Sequence, residues 1–428
     1  MKIGIRQKVL MDALNKGSLA AISDDAQEDT STLSLLIKAI KITVDEKKFA
    51  IESSTELMAV KYSVPSTKDD GIVVKENGCI LVPAKELIDW VKVQGEDSTI
   101  NITLNKLQTP EIINTLEDND SQDAGEKFIL KKIGSARLVS KDSQKTSGKW
   151  ELDCYDPEGH PSVNFAVKTD KNFDIGGKQL GDALSNVSFA ALKQDYEHVL
   201  DSVSIQTYEN NLYFATTDTQ RCALYKVPSQ DVFDLDLKSP MLIPSVLLEQ
   251  IAKIIIKDNK LSFAYNEEHE KVFIKQDNLK IRLASTEKKN IKKFPNIEML
   301  LQKQYYKLTT LAKASMNKVL ISAAIVNNAS ALFLFDKEKE TLTVKAISED
   351  NKYKPNVSRC ESPKTVEDVR VVWGVSHLIE GLKVIKSSEV DLYVPKNLQS
   401  LKLVGCDSDN LSYFALAIVN AKYNIENE

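Results

Sequence analysis

The sequence predicts an α+β protein of three similar domains, each with two helices packed on two antiparallel sheets. Three observations lead there. Amphipathic segments of about 10 to 13 residues recur six times, each followed by extended sequence. Their starts lie about 65 to 77 residues apart, with one interval of about 90, a spacing that suits a repeated supersecondary unit. Between them apolar and polar residues alternate with a period of two, as in half-buried strands. At 428 residues the chain is too long for one core. Paired units give domains over residues 1–167, 168–303 and 304–428.

Taken in order, the stripe Val9, Leu10, Ala13 and Leu14 predicts a first helix over residues 6–16. The second follows the strand-like Cys79–Val82, begins at Pro83, which suits a first helical turn, and spans 85–94. Leu180, Ala183, Leu184 and Val187 place the third over 178–188. The fourth repeats the second's design, with Met241–Ile243, then Pro244, then a helix over 245–257. The fifth covers 311–320 and runs on to about Ala324; the sixth covers 376–386 behind the strand Val369–Trp373. Period-two segments such as Lys48–Ser53, Met58–Val64, Thr99–Leu104, Val203–Tyr208, Lys271–Lys275, Leu279–Ala284 and Thr341–Ile347 supply the strands. Residues 109–148, rich in Asp, Ser, Lys and Gly, account for the one long interval. They predict an insertion on the first domain, either an extended hairpin or a mobile loop, or else a regulatory contact surface.

Composition excludes several classes. No apolar run approaches the roughly 20 residues that span a bilayer, and MKIGIRQKVL lacks the apolar core of a secretory signal, so a cytoplasmic protein without membrane contact is expected. Cys79, Cys154, Cys222, Cys360 and Cys406 are scattered, without a C-x-x-C pair or a histidine at ligand spacing. They read as reduced thiols, with neither a disulfide frame nor a metal site. His160, His198, His269 and His377 lie in no nucleophile pattern, and a Gly-rich phosphate loop, H-E-x-x-H and G-x-S-x-G are all missing. Neither a catalytic residue nor a cofactor is therefore expected.

The net charge of −5 argues against indiscriminate nucleic-acid binding, but its distribution matters more. The six predicted helices carry 12 basic and 6 acidic residues, a net of +6, which leaves −11 for the rest of the chain. The basic positions fall mostly off the apolar stripes: Arg6, Lys8, Lys16, Lys85, Lys92, Lys178, Lys253, Lys257, Lys313, Lys318, Lys383 and Lys386. On one helix such lysines serve solubility. Recurring on six, they suit a shared wall that attracts phosphates while the acidic body repels them. Lysine lacks the bidentate fork of arginine, so that wall would hold a phosphate backbone without reading sequence.

One polar turn stands out. TTDTQRCAL, residues 216–224, follows a strand and places Asp218 where it can cap backbone N–H groups and hold Arg221. Read locally, it is a hairpin corner.

Four segments in order give a resemblance. Thr32-Leu33-Ser34-Leu35-Leu36 is similar to TLPIL, Thr217-Asp218-Thr219-Gln220-Arg221-Cys222-Ala223 to TDGHRLA, Phe294-Pro295-Asn296-Ile297 to FPDY, and Tyr413–Val419 to YVVMPMR. These are segments of the bacterial DNA polymerase III beta subunit, the DNA sliding clamp, which the chain resembles throughout its length. The resemblance implies DNA-clamp domains in a head-to-tail ring dimer around double-stranded DNA, held without sequence preference, with a replicative DNA polymerase and a clamp loader as partners. Ala324-Ile325-Val326-Asn327 is similar to the interface segment AILS, which makes Ile325 and Val326 dimer-interface candidates; as residues they read equally as helix-end core. A partner-peptide groove would be lined by Leu200, Thr217, Thr219, Gln220, Arg221, Cys222, Pro295, Met299, Leu300, Ser400, Phe414, Leu416 and Ile418. The chain departs from the family pattern where Thr219-Gln220 replaces Gly-His, where Met299 replaces Arg, and where Ala417 and Val419 replace Pro and Arg. Thr219 puts a β-branched residue where the family's turn usually tolerates φ > 0. The competing readings are a β-rich repeat scaffold that binds no DNA, which gives no reason to concentrate lysine on helices, and an enzyme without a recognisable catalytic motif.

Overall fold

The computed structural model describes residues 1–22, 38–117, 127–142, 148–161, 163–165, 171–192, 199–237, 239–266, 270–286, 290, 293–348 and 354–416. They pack as two compact units. The first holds Met1–Lys171, Ile254–Ile256 and Leu261–Ala284; the second holds Asn172–Lys253, Lys257–Lys260 and the chain from Ser285 onward.

Helices α1 (Gln7–Gly17), α2 (Ala84–Lys92), α3 (Gly177–Val187), α4 (Ser245–Ile254), α5 (Ile297–Gln302), α6 (Lys313–Ala324) and α7 (Val375–Val384) punctuate a chain dominated by antiparallel strands. Six of these fall where apolar periodicity puts them; α5 does not. Their ends differ from the sequence reading for local reasons. Arg6 closes the strand Lys2–Arg6, paired with Thr99, so α1 starts one residue later. Leu311 belongs to the strand Tyr306–Ala312, paired with Glu389–Val394. Lys257 and Lys386 lie beyond the ends of α4 and α7, the latter because Ile385 turns extended (φ −70°, ψ 118°).

In the first unit α1 and α2 pack together, burying Leu10, Leu14, Leu87 and Val91 against Ile3, Ile5, Ile42 and Ile51 of the sheet. The alternating segment Lys271–Gln276 pairs with Leu279–Ala284, which pairs in turn with Met58–Pro65 in the register Ile281 to Val60. Arg282 fastens that seam, its guanidinium donating to the Thr55 carbonyl at 2.9 Å. Residues 109–148 contain an extended hairpin: Thr99–Glu117 pairs with Lys127–Lys141 well past the core. Ile100 and Ile102 are buried at its base, whereas Ile112 and Ile113 are 65% and 47% exposed.

The second unit is built on an eight-stranded sheet in the order Met241–Pro244, Ser202–Tyr208, Asn211–Thr217, Arg221–Val227, Ser408–Leu416, Ser400–Gly405, Glu389–Val394, Tyr306–Ala312. A second sheet of four strands runs Asn356–Glu361, Thr341–Ala346, Ala331–Asp336, Val369–Trp373, with Trp373 fully buried beside Phe333, ring centroids 5.1 Å apart. The join that matters for the site is Arg221–Val227 against Ser408–Leu416, which sets Cys222 opposite Phe414 and Arg221 opposite Ala415.

Candidate functional site, a groove in the second unit

The site grows from the turn after Thr217. The Thr217 hydroxyl donates to the Arg221 carbonyl at 2.6 Å and accepts from the Thr219 N–H at 3.1 Å. Asp218 accepts from the Gln220 and Arg221 N–H groups, both at 3.0 Å, as an aspartate that caps a turn should. Closing so short a corner forces Thr219 to φ 78°, the left-handed region that favours glycine.

Arg221 is fixed from several sides. Its Nε donates to Asp218 at 2.9 Å, Nη1 to Glu380 on α7 and Nη2 to the Phe189 carbonyl at 3.3 Å; the guanidinium carbon lies 5.7 Å from the Phe189 ring centre. Phe189 in turn stacks on Tyr413, whose hydroxyl donates to the His377 carbonyl at 2.8 Å. Tyr413 can sit there because position 381 is glycine: a Cβ at Gly381 would stand 2.5 Å from the ring. Burial and the neighbouring Arg221 cation lower the pKa of His377.

Beside this turn opens a groove of ≈ 760 Å³. It brings together Thr217, Thr219, Gln220, Arg221, Cys222, Pro295, Met299, Leu300, Ser400, Phe414 and Leu416. Leu200 is not in the wall but in the apolar cluster with Cys222, Phe294 and Phe414. Ile418 lies outside the described residues, as do Thr32–Leu36 and Val419. Asn296, Gln302, Lys303, Asn397 and Gln399 add a polar rim that the sequence reading did not include. Asn296 also caps α5 by accepting from the Glu298 N–H at 2.9 Å, and so presents Met299 and Leu300 to the opening.

The floor is apolar and closed: Cys222 and Phe414 are 5% and 4% exposed, and Tyr305 packs on Phe414. Ser400, buried beneath, meets the Tyr305 hydroxyl at 3.0 Å and accepts from the Lys303 ammonium at 3.2 Å. Burial pushes the Cys222 thiol up to about 12, which leaves it a neutral wall atom and not a nucleophile. The lip is different. Met299 is 68% exposed and Leu416 47%, large apolar side chains presented to solvent at the rim of an apolar slot. Such a slot accepts one or two bulky anchors of a short segment, while its polar rim fixes the backbone.

The basic residues divide into two groups. Arg6, Lys8, Lys85, Lys92, Lys178, Lys253, Lys257, Lys318, Lys383 and Lys386 are exposed. Lys16 and Lys313 are half-buried and engaged, Lys16 with Asp12 at 2.9 Å and Lys313 with the Ile385 carbonyl at 2.6 Å. Ile325, directly behind α6, is 76% exposed, and Val326 is half-buried. Among the described residues no three His, Cys, Asp or Glu side chains form a metal-binding group, and no helix is long and apolar enough to cross a membrane.

Residues 174–287 match the family described as DNA polymerase III beta subunit, central domain. Beyond those residues the likeness to DNA polymerase III beta subunits is a divergent one. It is 22% identical over 281 residues to a beta sliding clamp of Mycoplasmopsis pulmonis, covering 64% of this chain and 67% of that one. It is 25% identical over 273 residues to that of Staphylococcus aureus, covering 62% and 61% respectively, so the matched stretch spans less than two thirds of the staphylococcal protein. The fold extends further than the detectable identity. The crystal structure of the DNA polymerase III subunit beta from Pseudomonas aeruginosa superposes with a TM-score of 0.76 at 16% identity, covering 98% of this chain and 100% of that one. The beta subunit of Streptococcus pyogenes gives 0.75 at 15% identity with the same coverage.

Proposed function

We propose that the chain is a DNA sliding clamp, a processivity factor that tethers a replicative DNA polymerase to duplex DNA. The observation that carries this reading is the groove. An apolar slot with Met299 and Leu416 exposed at its lip and Lys303 at its edge suits a short linear motif, and it occurs on a fold shared with beta clamps. Similarity to the beta subunit family, over residues 174–287 and to curated beta sliding clamps, favours this over a scaffold that binds no DNA. In this reading the chain forms a head-to-tail ring dimer of three domains per copy (residues 1–167, 168–303 and 304–428), Ile325 and Val326 lie at the dimer contact, and exposed lysines line a channel for the sugar-phosphate backbone. A separate clamp loader places it on DNA, and it acts in the cytoplasm without chemistry or cofactor of its own.

The test is binding of a labelled peptide made from the C-terminal residues of the replicative polymerase of the same organism. Met299→Ala with Leu416→Ala is expected to weaken that binding at least tenfold while the mass in solution stays at about twice that of one 47.8 kDa chain. Unchanged affinity would reject the groove, and a monomeric mass for the parent chain would reject the dimer.

A further inference from the structure

We propose, resting on the peptide-groove reading above, that Lys303 makes the groove select for charge as well as shape: it favours peptides with an aspartate or glutamate side chain beside their apolar anchors.

Position comes first. Lys303 directly follows α5 and stands four positions after Met299, one helical turn on, and both side chains line the groove. Its ammonium donates to the Ser400 hydroxyl at 3.2 Å, and Ser400 is the register partner of Leu416. The cation is therefore one turn from one exposed apolar residue of the lip and one strand pair from the other. An extended peptide advances about 3.3 Å per residue, so a carboxylate a few positions from an anchor comes within reach of it. Because the cation stands alongside the anchors' seats, the matching carboxylate is a side chain within the bound segment.

The cation also lacks an anion. Among the described residues its polar and aromatic contacts are the Ser400 hydroxyl and the Tyr305 ring, whose centre is 5.6 Å from Nζ, and both are neutral. The hydroxyl takes one of the ammonium's N–H donors and leaves the others for a ligand. The described lining holds no carboxylate; Gln220, Asn296, Asn397 and Gln399 supply neutral amides. Arg221, the other cation of the lining, is already matched: its side chain is 12% exposed and is held by Asp218 and Glu380. Amides bind a peptide backbone whatever its charge, so the preference for negative charge comes from Lys303. A carboxylate brought to this half-buried ammonium makes a charge-assisted hydrogen bond where water is partly excluded.

A lysine at a helix C-terminus also favours the helix dipole. That role is indifferent to the peptide, which separates the two in an experiment.

The experiment reads competition against the labelled polymerase peptide by fluorescence anisotropy. The competitors are acetylated, amidated copies of that peptide in which each position in turn holds Asp or Asn, with one further copy whose terminal carboxylate is left free. On the parent chain Asp is expected to compete about tenfold better than Asn at a position flanking an apolar anchor. The ratio is expected to fall below about twofold in Lys303→Gln and to survive in Lys303→Arg. In the parent it is expected to narrow as NaCl rises from about 50 mM to about 500 mM, a measurement that stays decisive should Lys303→Gln fail to fold. Equal competition by Asp and Asn at every position overturns the proposal and leaves the groove reading standing. So does a ratio that Lys303→Gln does not change, the result a purely structural lysine gives. An advantage confined to the copy with the free terminal carboxylate assigns Lys303 to a chain end and overturns the side-chain assignment. If the polymerase peptide does not bind, or binds equally after Met299→Ala with Leu416→Ala, the groove reading falls and this inference with it.

Discussion

Arg221 and Glu380 form an ion pair across 159 residues of sequence, which ties the turn at one wall of the groove to helix α7. The two partners are not equivalent. The Arg221 side chain is 12% exposed and also holds Asp218, itself 15% exposed, while Glu380 is 44% exposed. Arg221→Ala strands a nearly buried carboxylate and is expected to cost about 2 to 4 kcal/mol of stability. Glu380→Gln leaves Arg221 its second partner and is expected to cost less than about 1 kcal/mol, because the lost charge is solvent-screened. Urea denaturation of both variants checks the asymmetry; equal losses would contradict it.

Thr219 gives a prediction of the opposite sign. A β-branched residue at φ 78° stores about 1 to 3 kcal/mol of strain, whereas glycine costs about 0.4 to 1 kcal/mol through the unfolded chain. Thr219→Gly is therefore expected to stabilise the protein by about 1 kcal/mol and raise Tm. A lower Tm would show that the hydroxyl or methyl of Thr219 does something the turn geometry does not reveal.

His160 makes the first unit sensitive to acid. It is 3% exposed, and burial lowers its pKa to about 4. The unfolded chain takes up the proton near the ordinary value of about 6.5, so the contribution is complete above that pH and is lost as pH falls towards about 4. It amounts to about 2 kcal/mol by pH 5. Stability measured at pH 7 and pH 5 should differ by that amount more in the parent than in His160→Gln. An unchanged difference would contradict the assignment.

The lysines are not equivalent as targets for charge reversal. Lys313 holds the Ile385 carbonyl, so reversing it would disturb packing as well as charge. Lys253, Lys257, Lys318 and Lys383 are exposed, and their joint replacement by Glu is expected to abolish retention on DNA while changing stability by no more than about 0.5 kcal/mol per site. Full retention would remove the lysines from the proposed channel.

How legible this was in the sequence depends on distance along the chain. Asp218 and Arg221 are three residues apart, and an aspartate opening a turn announces its caps, so that corner is readable locally, whereas the φ > 0 at Thr219 is signalled only by the resemblance, in which glycine holds that place. Glu380 could not be read, since nothing local to a half-buried glutamate on an amphipathic helix points 159 residues back. Only the resemblance points to Met299 and Leu300 as groove residues. Their helix α5 is too short for apolar periodicity, although Asn296 followed by Glu298 is a capping signal that could have located it. Lys303 and the rim residues Asn397 and Gln399 carry no sequence signal and gain meaning only when the strands Ser400–Gly405 and Ser408–Leu416 bring them beside the turn.

The central claim, that this chain encircles and slides on duplex DNA, is tested most directly by retention on DNA of different topology. Fluorescently labelled protein, loaded onto nicked circular plasmid by its cognate loader with ATP, is separated from free protein by gel filtration before and after the plasmid is linearised. The account predicts retention on the circle and loss over the open ends once the DNA is cut. Equal retention on circular and linear DNA would contradict it.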